Sequence, residues 1–253
     1  MITSDLDVAR TIADTAGQLL LELRAEGAAH GWDPKELKDR GDQRSNEFLL
    51  ARLAELRPDD AVLSEEAVDD PVRLERSRVW VIDPLDGTRE FSELGRDDWA
   101  VHVALAVDGV VQLGVVAIPS RGELYDGTQS PVVTHQGAPR ILISRSRPPV
   151  EAELVAQVLG GTLVPMGSAG AKTAALLRGE AELYLHSGGQ YEWDLAAPVG
   201  AALGSGLHAS RIDGSAFRFN SRNPYLPDAL IGDPALARRA LDALASASSS
   251  ATD

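Results

Sequence analysis

The feature that most constrains this chain is a pair of apolar runs, residues 101–107 and 110–117, joined by Asp108 and Gly109 alone. Asp and Gly tolerate the positive φ that a two-residue hairpin turn demands, so the pair predicts two antiparallel strands. Shorter apolar runs flank them at residues 61–63 and 79–82, then at 124–125, 132–133 and 141–144. Together these read as a mainly antiparallel sheet.

Ahead of the sheet come two helices. Leu6, Ala9, Ile12, Ala13, Ala16, Leu19, Leu20 and Leu23 recur at helical spacing, with Ser4 or Asp5 as cap and Gly27 as stop. A polar connector, residues 28–33, leads to a second helix with the stripe Phe48, Leu49, Leu53 and Leu56, ending at Pro58. Gly41 and Asp42 fall at or near its start. The short link suggests an antiparallel pair. Past residues 145–149, the pattern alternates. Helices are expected at 150–159, 169–177, 195–203 and 235–244, and extended segments at 162–165 and 183–185. The small, polar tail from Ala245 is expected to fray. The expectation is an α+β chain of two halves, 1–147 and 148–253, forming one compact unit.

The 253 residues carry 38 acidic and 24 basic side chains, a formal charge of −14. That balance argues against coating a nucleic acid, which needs a basic face. It leaves room for a small anionic substrate, because bound cations invert the local potential. With no cysteine, disulfides, thiolate metal sites and cysteine nucleophiles are excluded. No window reaches the ~18 apolar residues of a membrane span, and the start lacks the basic and apolar segments of a secretory signal. A cytoplasmic protein is expected.

Three acidic clusters each follow an apolar run: Ser64-Glu65-Glu66, Asp83-Pro84-Leu85-Asp86-Gly87-Thr88 and Glu192-Trp193-Asp194. Strand ends are where layered α/β folds present functional groups. Pro84 lacks a ladder donor and is expected to end its strand, holding Asp83 at the terminus. Asp86 follows before a turn-forming Gly87. Two carboxylates, with the Leu85 carbonyl between them, are the oxygen ligands a hard divalent cation takes. The amides of Gly87 and Thr88 would open a helix start suited to a phosphate oxygen. Metal carboxylates beside an anion-binding turn point to metal-assisted phosphoryl chemistry.

These clusters, in this order, resemble the signature of the lithium-sensitive, magnesium-dependent phosphatases of the inositol monophosphatase superfamily. The resemblance spans nearly the whole chain and implies a layered αβαβα sandwich. It also implies roles. Glu65 resembles the glutamate that binds metal and orients the attacking water. Asp83, the Leu85 carbonyl and Asp86 resemble shared metal ligands, and Asp194 the distal one. Two Mg²⁺ ions are implied, with a third, weaker one near Glu65. Gly87 and Thr88 resemble the phosphate-binding turn, and Thr88 is expected to help activate water, supported by Asp42. One departure is Ser64, where glycine is usual; serine fits there unless the backbone needs positive φ.

Within the superfamily, Arg89-Glu90-Phe91, the turn Gly167-Ser168-Ala169-Gly170-Ala171-Lys172 and His186 resemble the CysQ-type bisphosphate nucleotidases. That subgroup removes the 3′-phosphate of 3′-phosphoadenosine 5′-phosphate, and many members accept the 5′-phosphosulfate. The implied substrate contacts are Asp86, Gly87, Thr88, Arg89, Ser168, Lys172, His186 and Asp194, with Lys172 as a cation for a second phosphate. Such proteins occur as monomers and dimers. The competing readings are an inositol or fructose-1,6-bisphosphate phosphatase and, more remotely, a non-catalytic nucleotide sensor.

Overall fold

The computed structural model describes residues 3–132 and 137–250. Among them, no helix is long and apolar enough to cross a membrane. Five layers stack in the order helix, sheet, helix, sheet, helix.

The outer helical layer is α1 (Asp5–His30) and α2 (Pro34–Leu56). Ser4 caps α1 by accepting the Asp7 N–H, and the left-handed Gly31, not Gly27, ends it. Asp33 caps α2 with Pro34 in the first turn, so Gly41 and Asp42 lie well inside that helix rather than at its start.

The first sheet has the order β1 (Ala61–Ser64), β2 (Arg78–Asp86), β3 (Ala100–Val107), β4 (Val110–Ile118) and β5 (Glu123–Tyr125). Asp108 and Gly109 both take positive φ and join β3 to β4 as the turn chemistry predicts. Only β1 runs parallel to its neighbour β2. Residues alternate sides along β2: Trp80 and Ile82 pack under α1 and α2, while Val79 and Val81 face the central helices. Of the further strand expected at 132–133, Val132 lies outside any strand and Val133 lies outside the described residues.

The second sheet has the order β7 (Thr162–Met166), β6 (Arg140–Ser144), β8 (Leu183–Tyr191), β10 (Tyr225–Gly232) and β9 (His208–Ser210). The division between sheets thus falls between Tyr125 and Arg140, ahead of the 145–149 stretch. Between the sheets lie α5 (Ala169–Leu177) and α6 (Glu192–Gly204); on the far face lie α4 (Ala152–Leu159) and α7 (Pro234–Ser250). The expected fraying from Ala245 is not seen as far as Ser250, which is still helical. A short helix α3 (Thr88–Ser92) follows β2 directly.

Candidate active site

Pro84 does not end β2. The strand runs on to Asp86 and absorbs the proline as an irregularity, Asp83 pairing with His102 and Asp86 with Ala100. Three steps on β2 thus match two on β3, a bulge of one residue. In a regular strand, residues three apart point to opposite faces. The extra residue turns Asp83 and Asp86 to one side. Helix α2 holds the bulge from behind: the Ser45 hydroxyl donates to the Pro84 carbonyl at 2.7 Å.

The third carboxylate arrives from the central layer. Asp194 sits in the first turn of α6, where its Oδ2 accepts the Tyr191 N–H at 2.6 Å. Carboxylate oxygens of Asp83, Asp86 and Asp194 all lie within 4.8 Å of one another. Glu65 joins them through strand pairing. Ser64 aligns with Ile82 in the parallel ladder, and the Glu65 N–H donates to the Ile82 carbonyl. Ser64 has no positive φ, so a serine there is unstrained.

Crowding four carboxylates has electrostatic consequences. Burial, then the charge of Glu65, pushes Asp83 well above the carboxylate range. Its Oδ1 accepts the Leu85 N–H at 3.0 Å, while its buried Oδ2 has no hydrogen-bond partner. Glu65 opens onto solvent, yet protein on its other sides, and then Asp194, push it up to about 8. Asp194 rises to about 6 through burial and the neighbouring Asp86. Asp86 goes the other way. Burial acts to raise it, but His102, the Ser168 hydroxyl and the Gly170 N–H outweigh that and hold it at about 2. A partnerless buried oxygen inside a converging set of hard oxygen donors fits a divalent cation.

The carboxylates open into a cleft of about 240 Å³, also lined by Leu85, Gly87, Thr88, Arg89, Ser168, Lys172 and His186. Gly87 takes a left-handed conformation before α3, with Thr88 half-buried at its first position. Ser168, itself at φ 49°, caps α5 through the Ala171 N–H and donates to Asp86 Oδ2. Arg89 is exposed.

Three of the expected residues have protein surroundings that bear on how they act. Lys172 is buried beneath the turn, and its Nζ contacts the carbonyls of Met166, Gly167 and Ser168 at 3.4, 3.1 and 2.7 Å. Burial lowers it to about 8. His186 is buried, lowered to about 4 by that burial, with Nε2 3.2 Å from the Gly189 carbonyl oxygen. Asp42, on α2, is raised to about 7 by burial and by Glu66, and no hydrogen bond joins it to Thr88.

The cleft also contains residues that sequence reasoning passed over. Arg145, Ser146 and Arg147 line it, although they read as a boundary stretch. They directly follow the apolar run of β6, the same strand-end position the acidic clusters occupy; that was the available signal. Tyr184 and Gln190 of β8 line the same wall and bond to each other at 3.0 Å.

Residues 2–251 match the inositol monophosphatase family. A protein of Mycobacterium leprae (strain TN) named 3'-phosphoadenosine 5'-phosphate phosphatase is 50% identical over 241 residues, 89% of this chain and 88% of that protein. The Escherichia coli (strain K12) 3'(2'),5'-bisphosphate nucleotidase CysQ is 28% identical over 87% of this chain and 96% of its own length. The solved structure of inositol monophosphatase II from Staphylococcus aureus MSSA476 superposes with a TM-score of 0.77 at 20% identity, covering 94% of each chain, a likeness of fold. The layered architecture, the converging carboxylates and these matches agree: the chain belongs to the inositol monophosphatase family.

Proposed function

We propose that this chain is a Mg²⁺-dependent phosphatase that hydrolyses the 3′-phosphate of 3′-phosphoadenosine 5′-phosphate to AMP, and acts on the 5′-phosphosulfate as well, in sulfur assimilation. What supports the reading is one conjunction. The chain is 50% identical to a protein named for that phosphatase activity, and it gathers Asp83, Asp86 and Asp194 within 4.8 Å of one another.

Glu65, Asp83, Leu85, Asp86 and Asp194 would hold two or three Mg²⁺ ions. When bound, they supply an acidified water and neutralise charge on the phosphoryl oxygens. The protein's part is positioning. Asp86 is fixed by Ser168 and Gly170 before any substrate arrives. Gly87 and Thr88 present the turn on which the transferred phosphate rests. Glu65, open to the cleft, orients the attacking water, with the Thr88 hydroxyl beside it. Asp42, close enough to Glu66 to be raised by it, supports that edge of the site through charge. The reaction is an in-line displacement: water oxygen bonds to phosphorus as the bond to the 3′ oxygen breaks, and that oxygen leaves protonated. No protein nucleophile is required. Asp86 and Asp194 come from the halves 1–147 and 148–253, so both halves are needed as a single unit.

The test is phosphate release with Mg²⁺ from 3′-phosphoadenosine 5′-phosphate, inositol 1-phosphate and fructose 1,6-bisphosphate. A nucleotide preference of a hundredfold or more in kcat/KM, ~2.7 kcal/mol of transition-state discrimination, is expected. A preference for inositol 1-phosphate would overturn the substrate while keeping the metal site.

A further inference from the structure

Four lysine and arginine side chains line the cleft: Arg89, Arg145, Arg147 and Lys172. A substrate with two anionic groups needs a cation for the group that does not sit over the carboxylates. Two of the four are already engaged. An ammonium has three donors, and Lys172 Nζ meets three backbone carbonyls beneath the turn. Arg145 is held by acids, its Nη2 donating to Glu90 at 2.6 Å and to Glu93 at 3.1 Å. His186 is buried against a backbone carbonyl.

Arg89 and Arg147 remain. Arg89 lies on α3, next to the turn expected to take the transferred phosphate, so it belongs to that end of the cleft. Arg147 belongs to the other wall. It follows β6 of the second sheet, is exposed, and makes a single long side-chain contact, Nη1 to the Gly189 carbonyl at 3.3 Å. That contact ties the guanidinium to the β8 backbone at Gly189, in the cleft that His186 and Gln190 also line. Its charge is felt at Asp194, Tyr184 and His186. The planar fork keeps donors free for the bidentate grip that phosphate and sulfate oxygens favour.

We propose that Arg147 is the specificity-determining residue that binds the second anionic group of the substrate, a phosphate or phosphosulfate at the nucleoside 5′ position, on the wall built by β6 and β8. The inference rests on the nucleotidase reading. It explains how a chain whose turn lysine is occupied still recognises a doubly charged nucleotide.

The experiment compares 3′-phosphoadenosine 5′-phosphate with 3′-AMP, which lacks the second group, for wild type, Arg147→Ala, Arg147→Lys and Arg89→Ala, with thermal midpoints as a folding check. Arg147→Ala is expected to lower kcat/KM for the bisphosphate about 50-fold, mostly through KM. The same variant should leave 3′-AMP within about threefold of wild type, so the discrimination collapses. Arg147→Lys, a point charge without the fork, should restore part of it. Equal losses on both substrates, or no loss on either, would overturn the inference. So would Arg89→Ala abolishing the discrimination while Arg147→Ala preserves it. Wild type that hydrolyses both nucleotides equally well overturns the inference alone. Wild type that hydrolyses neither overturns the substrate reading and the inference with it.

Discussion

His102 Nε2 lies 3.2 Å from Asp86 Oδ2, and the Nδ1 of the same ring lies 3.2 Å from the carbonyl oxygen of Trp193. The first approach is a close polar contact rather than an aligned hydrogen bond. The ring is fully buried and spans from a carboxylate of the first sheet to the backbone beside Asp194. Groups that orient metal carboxylates from behind are typically worth about 10–100-fold in metal affinity. His102→Gln, a polar amide of comparable reach, should therefore raise the Mg²⁺ concentration for half-maximal activity about tenfold. Titrating Mg²⁺ against phosphate release checks this; an unchanged half-saturation would show that the ring only fills space.

Asp83→Asn separates activity from stability. The amide keeps the shape but removes a buried carboxyl whose ionisation burial and the charge of Glu65 disfavour. Turnover should fall by about a thousandfold, as expected when a metal ligand is lost. In EDTA the variant should be more stable than wild type, by about 1–2 kcal/mol, because an unpaired buried carboxylate is removed. Urea unfolding beside an activity assay reads both directions; near-normal turnover would remove Asp83 from the metal site.

Metal-free protein should lose stability as pH rises. Asp194, Asp42 and Glu65 are raised to about 6, 7 and 8, while unfolded carboxylates titrate near 4. Between those values the native state holds more protons than the unfolded one, so the unfolding free energy falls with increasing pH. The stabilisation is whole below about pH 4 and fades through pH 6–8. In EDTA the thermal midpoint should drop across that window, and Mg²⁺ should reverse the drop with release of protons, measurable by calorimetry in buffers of different ionisation enthalpy. A midpoint rising through pH 6–8 in EDTA would contradict the crowded-carboxylate account.

Gly41→Ala probes how tightly α2 backs the site. A Cβ there would meet Leu85 Cδ2 at 2.9 Å and Phe91 Cε1 at 3.0 Å. Alanine gains about 1 kcal/mol of helix propensity, offset by displacing two buried side chains. Global stability should change by less than about 1 kcal/mol. The Leu85 segment, between Asp83 and Asp86, should shift, raising Mg²⁺ half-saturation several-fold. An unaltered Mg²⁺ response would show that the loop yields elsewhere.

Much of this was legible in the residues themselves. The Asp108-Gly109 turn, the helical stripes and the strand-end acids are local signals, and each sits where local chemistry puts it. What was not legible depended on partners far along the chain. Pro84 reads as a strand end until β3 supplies the ladder against which it becomes a bulge. Strand β10 was missed because Pro227 interrupts it; the register slips there, between Leu226 and Asp228, and β8 holds the strand on either side. Gly41 reads as a helix start, and only the approach of Leu85 and Phe91 explains a glycine in the middle of α2. Lys172 reads as a cation for substrate, and nothing local reveals that its ammonium also reaches the carbonyls of its own turn. Arg147 was lost in a stretch read as a boundary, because nothing local reveals that β6 and β8 are neighbours.

The one-residue bulge in β2 makes the chemistry a matter of counting. Let β2 pair with β3 residue for residue beyond Asp83, with no extra residue taken up, and the sheet would still bury Val79 to Ile82. The two aspartates, three apart in a regular strand, would then face opposite sides, and the chain would fold around a site that no longer exists. A change of register at this spot should therefore be far more damaging to catalysis than to folding. A lineage that straightened the bulge would retain the architecture as an inert scaffold, open to other uses.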